Sequence, residues 1–176
     1  GDQRLPSPFD RFSVILDSLP IELMNAIHEH ATLVKTRRGN DVVAHGDVSN
    51  EVYLLFEGQV QIRLLAPDGS EAILRDLHSG DLFGELAAID GAPRSAWAVA
   101  TADSVLARLP GETFRRAVIE IPAVAEWMQV RLTGQVRDLT RRWFELNALQ
   151  VRSRLHCELA RMCADGDGPV VLDPAP

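Results

Sequence analysis

The sequence predicts an α+β protein in which a small antiparallel β barrel is set between helices. Three observations carry that prediction. Apolar residues at helical spacing open the chain, short apolar runs cut by turn residues at regular intervals fill its middle, and helical spacing returns after residue 110. These changes of texture divide the chain into N-terminal helices (1–32), a β barrel (33–110), C-terminal helices (111–163) and a hinge (164–176). With 176 residues, 46% of them hydrophobic, the chain has the material for one good core.

Between residues 7 and 36, Phe9, Phe12, Ile15, Leu16, Leu19, Leu23 and Ile27 recur at helical spacing, broken at Pro20. Two short helices follow, the second opening just after the proline. The turn signals of the middle segment are Arg38-Gly39-Asn40, His45-Gly46-Asp47, Glu57-Gly58, Pro67-Asp68-Gly69, Ser79-Gly80-Asp81 and Asp90-Gly91-Ala92-Pro93. Between them Val52-Tyr53-Leu54-Leu55-Phe56, Gln59-Val60-Gln61-Ile62-Arg63-Leu64 and Glu71-Ala72-Ile73-Leu74 read as strands, the second alternating apolar with polar. Pro-Asp-Gly predicts a hairpin between the last two, because Gly69 takes a positive φ without a steric penalty. Short strands spaced in this way indicate a small sandwich or jelly-roll barrel.

After Pro110-Gly111-Glu112 a helical period runs to about Cys163, interrupted at Ile121-Pro122. Leu132, Val136, Leu139, Trp143 and Leu146 follow one another at steps of four and three, the a and d positions of a heptad seam. A seam of that kind predicts a partner helix and hence a homodimer; a single amphipathic helix packed on its own barrel accounts better for the first turns. Leu155, Leu159 and Met162 continue the apolar stripe, and Asp165-Gly166-Asp167-Gly168-Pro169 stops the helix.

Composition narrows the function classes. A net charge of −7 opposes a phosphate backbone, and seven arginines against four carboxylates between Glu126 and Cys163 read as a solvated helix face. No apolar stretch approaches a membrane span, and the N-terminus has no signal-peptide pattern. Cys157 and Cys163 offer neither a metal spacing nor a disulfide framework, which suits a reducing cytoplasm. The start at Gly1 and the end at Val-Leu-Asp-Pro-Ala-Pro suggest a segment of a larger protein.

The chemistry concentrates in 83–96, Phe83-Gly84-Glu85-Leu86-Ala87-Ala88-Ile89-Asp90-Gly91-Ala92-Pro93-Arg94-Ser95-Ala96, between a strand ending near Leu82 and another starting near Trp97. Glycine before Glu-Leu-Ala-Ala-Ile suits a short helical turn whose first N–H groups point outward, and small residues let a ligand approach the backbone. Arg94 carries a planar donor fork that fits a phosphate, with the Ser95 hydroxyl beside it. Glu85 is an acceptor suited to a sugar hydroxyl. Phosphate at one end and ribose at the other describe a nucleotide pocket; the competing reading is an ordinary Glu85–Arg94 ion pair across a loop.

This segment resembles the phosphate-binding cassette of the cyclic-nucleotide-binding domain superfamily: Gly-Glu-Leu-Ala, a short spacer, then Pro-Arg, a Ser, Thr or Ala, and Ala. The turn markers Gly46-Asp47, Tyr53, Gly58 and Gly80-Asp81 and the long helix extend the resemblance over nearly the whole chain, and Leu146 to Met162 followed by a Gly-rich turn most closely resembles the sensor domain of bacterial regulators of the catabolite activator and fumarate–nitrate reductase family. The resemblance implies a jelly-roll barrel (a double-stranded β-helix) with a C-terminal dimerisation helix. It implies a cyclic AMP ligand, or cyclic GMP, and no cofactor or metal. DNA would be contacted through a helix-turn-helix domain that lies outside this chain. It puts Gly84, Glu85, Leu86 and Ala87 on the ribose and phosphate side, Arg94, Ser95 and Ala96 at the phosphate, and Thr140 near the base, with Asp138 and Arg141 as lesser candidates.

Other classes fit less well. A metal-dependent cupin-like enzyme needs His and carboxylate ligands along strands, whereas His28-Glu29-His30 falls in a predicted helix. Without a cysteine before Cys157 an N-terminal iron–sulfur cluster has no ligands, and His45 and His78 sit near turns as surface residues rather than haem ligands. The remaining alternative is a dimerisation scaffold that has lost its ligand.

Overall fold

The run Val52-Tyr53-Leu54-Leu55-Phe56 has no apolar–polar alternation because it is buried on both faces, and the architecture follows from that strand. In the computed structural model, which describes residues 8–65 and 69–148, it becomes β3 (Val52–Glu57) in the middle of a sheet. Tyr53 and Leu55 point one way and Val52, Leu54 and Phe56 the other, all buried.

Among the described residues eight strands form two antiparallel sheets. One has the order β1 (Thr32–Thr36), β8 (Ser104–Leu109), β3, β6 (Leu82–Phe83). The other has the order β2 (Asp41–Val43), β7 (Trp97–Ala100), β4 (Val60–Leu65), β5 (Glu71–Leu77). Two four-stranded sheets with crossovers between them make a jelly roll. Its interior interleaves Tyr53, Leu55, Phe83 and Leu106 from the first sheet with Val43, Val60, Leu77 and Ala98 from the second.

The outer faces of the two sheets differ. That of the first is covered by the N-terminal helical segment: Phe12 stacks on Phe56 with ring centroids 4.1 Å apart, and Phe9 lies 6.0 Å away. Burying a phenylalanine of this kind contributes about 2–3 kcal/mol. A 3₁₀ turn (Asp10–Phe12) and α1 (Ser13–Leu16) precede α2 (Ile21–His30), which opens after Pro20 as predicted and buries Leu23 and Ile27. The second sheet faces outward with polar side chains. Gln61 donates to Asp76 Oδ1 at 2.7 Å, and Arg63 bonds Gln61 Oε1 and Glu71 Oε2. The predicted alternation of β4 thus holds for direction, but the polar members are half-covered because they lie against one another.

The predicted hairpin is present: β4 and β5 pair from Val60↔Leu77 to Leu65↔Glu71, and Gly69 has φ +84°. After β8, α4 (Gly111–Glu120) buries Phe114 and Ala117. It ends at an extended Ile121, as a residue before proline requires, and α5 (Pro122–Ala148) begins at the proline.

The chain divides into two compact units, Gly1–Trp127 and Met128–Pro176. In the second, the described part of α5 carries Val136, Leu139 and Trp143 at 61%, 52% and 67% exposure, and Leu132 half-buried. The Leu146 side chain, the expected continuation through Leu155, Leu159 and Met162 to Cys163, both cysteines and the hinge at 164–176 lie outside the described residues. No helix among those described is long and apolar enough to cross a membrane.

Candidate functional site

The site is built around a glycine that has no room for a side chain. Gly84 follows the short β6 strand with φ +84°, and a Cβ at this position would sit 2.8 Å from both Arg94 Nη1 and the Glu51 carbonyl oxygen. Conformation and space both demand glycine. The next residues form α3 (Glu85–Asp90), which closes at Gly91, and the Ala92 N–H donates to Asp90 Oδ1 at 2.8 Å to turn the chain. The returning segment is tied to the β2–β3 loop by two main-chain bonds: the Arg94 N–H donates to the Asp47 carbonyl, and the Gly46 N–H donates to the Arg94 carbonyl, both at 2.8 Å.

That turn aims the Arg94 side chain inward, where it is 4% exposed. Nη1 donates to the Gly84 carbonyl at 2.9 Å, Nη2 to the Glu51 carbonyl at 2.8 Å, and Nε to Ser49 Oγ at 3.1 Å. Three neutral acceptors therefore fix the guanidinium plane, and the Glu51 carboxylate stands 3.6 Å from Nη2 as an ion-pair partner. Burial pushes the Arg94 guanidinium below the usual arginine range, opposed by Tyr53, Glu51, Asp47 and Glu85. Burial, reinforced by Glu51, raises the Tyr53 phenol; its ring stacks on Phe83 at 5.3 Å. Arginine remains charged despite such shifts, so the site holds a buried, oriented cation.

Glu85 opens α3 and is also buried, at 5% exposure. Buried charges are rare unless something compensates them, and two in one loop mark it as built for polar recognition. The structure thus brings Gly84, Glu85 and Arg94 together. Ala87 is buried in α3, Leu86 is exposed, and Ser95 is exposed beside Arg94, followed by a half-buried Ala96 leading into β7. Arg94 pairs with Glu51, a partner that the sequence did not suggest.

Thr140 belongs to the second unit, where it is exposed and its hydroxyl donates to the Val136 carbonyl at 2.8 Å. Asp138 and Arg141 pair with each other at 2.8 Å. Sequence reasoning missed Ser49 and Glu51. The only signal was a short polar run, Ser49 to Glu51, directly before a buried strand, and Glu51 acts partly through its main-chain oxygen, which side-chain patterns do not reveal.

The four described histidines have ordinary surroundings: His45 stacks on Trp97 with centroids 4.9 Å apart, His78 Nε2 is 3.4 Å from Gln59 Nε2, and His28 and His30 lie on α2. No group of three or more His, Cys, Asp or Glu suited to a metal ion occurs among the described residues.

Comparison with known proteins bears on this loop. Residues 33–120 match the family model described as the cyclic nucleotide-binding domain. The chain is 29% identical over 133 residues to the Cyclic AMP receptor protein of Thermus thermophilus, covering 76% of this chain and 62% of that protein. It is 29% identical over 108 residues to a cAMP-dependent protein kinase regulatory subunit of Dictyostelium discoideum, covering 61% of this chain and 33% of that protein. Among solved structures it superposes on the Thermus thermophilus Catabolite Activator Protein with a TM-score of 0.65 and 27% identity, covering 88% of this chain and 73% of the other. The chain spans about three fifths of the length of the bacterial receptor it matches. With the jelly roll in place and half the chain, cassette included, under one family model, the chain belongs to the cyclic nucleotide-binding domain family.

Proposed function

We propose that the chain is a ligand-binding regulatory module, not an enzyme, that senses a cyclic nucleotide in the cytoplasm, cyclic AMP in preference to cyclic GMP. The observation that carries the reading is the buried Arg94 cation, fixed by Gly84, Glu51 and Ser49, in the same loop as the buried Glu85 carboxylate. Arg94 neutralises the cyclic phosphate and Ser95 hydrogen-bonds it, while Glu85 accepts from the ribose 2′-hydroxyl. Gly84, Leu86, Ala87 and Ala96 supply a close-approach wall, and Thr140 meets the base. The barrel at 33–110, with its cassette at 83–96, is the sensing part in this reading.

The names of the relatives, a cyclic AMP receptor protein and cAMP-dependent kinase regulatory subunits, support the choice of ligand. The exposed apolar residues of α5 support pairing with a second copy of the chain. In the full mechanism, nucleotide binds best when cassette and helix close on it, so binding shifts the helix pair. A coupling of about 1–3 kcal/mol is enough to bias an attached helix-turn-helix domain.

Calorimetric titration of the purified chain with cyclic AMP and cyclic GMP, beside Arg94→Ala with its fold checked by circular dichroism, tests this. Saturable binding that falls at least about 100-fold in the folded variant is expected, as for loss of a charge-assisted bidentate contact. Absence of heat with either nucleotide, together with an unchanged melting temperature at high ligand, would leave a dimerisation scaffold as the better account.

A further inference from the structure

Arg94 is one cation among several acids. Glu51, Asp47 and Glu85 all act electrostatically on its guanidinium, and the Glu51 carboxylate comes within 3.6 Å of Nη2. That distance is too long for a hydrogen bond, so the carboxylate contributes charge and not aim. Aim comes from neutral acceptors: the carbonyls of Gly84 and Glu51 and the Ser49 hydroxyl. The two halves of Glu51 thus do separate jobs, its main-chain oxygen orienting the guanidinium and its side chain offsetting the positive charge. The Glu51 side chain is also 35% exposed while that of Arg94 is 3% exposed, so the carboxylate is open to solvent where the cation is not.

We propose that the Glu51 carboxylate is a resident counter-ion that competes with the ligand's phosphate for Arg94 and so holds the affinity of the site below what its hydrogen-bonding geometry allows. This rests on the cyclic-nucleotide reading given above. An incoming phosphodiester meets a guanidinium already partly neutralised, and the carboxylate repels it through a short, partly screened path. Removing the charge while keeping the main-chain carbonyl strengthens binding, the opposite of what loss of a structural residue does.

The test is calorimetric titration of wild type, Glu51→Gln and Glu51→Ala with cyclic AMP at low and high salt, with melting temperatures to confirm folding. Both variants keep the main-chain acceptor. The expected result is cyclic AMP binding tightened about fivefold at low salt, the size of one partly exposed charge, with the gain narrowing as salt is raised. Wild-type binding that both variants leave equal or weaken would overturn the counter-ion and leave the cyclic-nucleotide reading standing. A gain that salt does not diminish would also overturn it. No binding by any of the three proteins would overturn both.

Discussion

The cassette and the distal part of α5 depart from the ordinary burial pattern in opposite directions. In the cassette two charges, Glu85 and Arg94, are 5% and 4% exposed; on α5, Val136, Leu139 and Trp143 are more than half exposed. A buried charge is costly unless it is oriented and compensated, and Arg94 shows how this is done, with three hydrogen bonds to neutral acceptors and an acid nearby. An exposed apolar row loses the stabilisation that burial would give and gains it when something covers the row. The first region compensates its buried cation within its own loops, whereas the exposed row of the second is left uncovered among the described residues. Each departure is a separate clue, and each can be broken without touching the other.

The largest effect is expected from Gly84→Ala, which attacks the cassette alone. A methyl group would have to accept φ +84° and a position 2.8 Å from both Arg94 Nη1 and the Glu51 carbonyl. The strain and the displaced guanidinium together should cost about 3 kcal/mol of stability or ligand affinity. Thermal melts and cyclic AMP titration divide that cost between fold and site, and self-association should be unchanged in any variant that still folds. A protein as stable and as tight-binding as wild type would show that Gly84 does not set the position of Arg94.

How much of this was legible in the residues depends on whether side chains or main chain did the work. The turn glycines, the break at Pro20, the Pro122 start of α5 and the hairpin at Gly69 were readable because each places a residue with restricted or unusual backbone freedom where the chain must turn. Gly84, Glu85, Arg94 and Ser95 were readable for a different reason, because an acid, a guanidinium and a hydroxyl fall in one short stretch that resembles a known phosphate-binding cassette. Ser49 and Glu51 were not, because they precede β3 in an aperiodic run and reach Arg94 across more than forty residues, Glu51 in part through a main-chain oxygen. The unbroken apolar run of β3 carried the sign of burial on both faces, but what covers its outer face was hidden, since Phe12 and Phe9 meet Phe56 across more than forty residues.

Leu139→Asp attacks the other region. Leu139 is exposed in the single chain, so a charge there should leave the melting temperature of the barrel nearly unchanged. If α5 pairs with a second copy through Leu132, Val136, Leu139 and Trp143, an aspartate at a seam position loses an apolar contact and places a carboxylate in each copy's share of the interface. The dimer dissociation constant should then rise at least about tenfold in sedimentation equilibrium. An unchanged association state would separate the exposed row from dimerisation, and a fall in barrel stability would mean that Leu139 supports the fold.

The smallest effect is expected at Thr140, and it sharpens the contrast by asking whether the helix contributes to recognition at all. Its hydroxyl already donates to the Val136 carbonyl one turn back, a bond that satisfies the donor but leaves the oxygen's lone pairs able to accept. Thr140→Ala removes that acceptor and barely alters the helix, since alanine has the higher helical propensity. If Thr140 meets the base, cyclic AMP affinity should fall about threefold, the size of one neutral, partly solvated hydrogen bond, while a ligand lacking the exocyclic amino group loses nothing. Equal losses for both ligands would point to a change in helix position instead of a lost contact. No loss for either would confine recognition to the cassette, with the exposed helix row serving association alone.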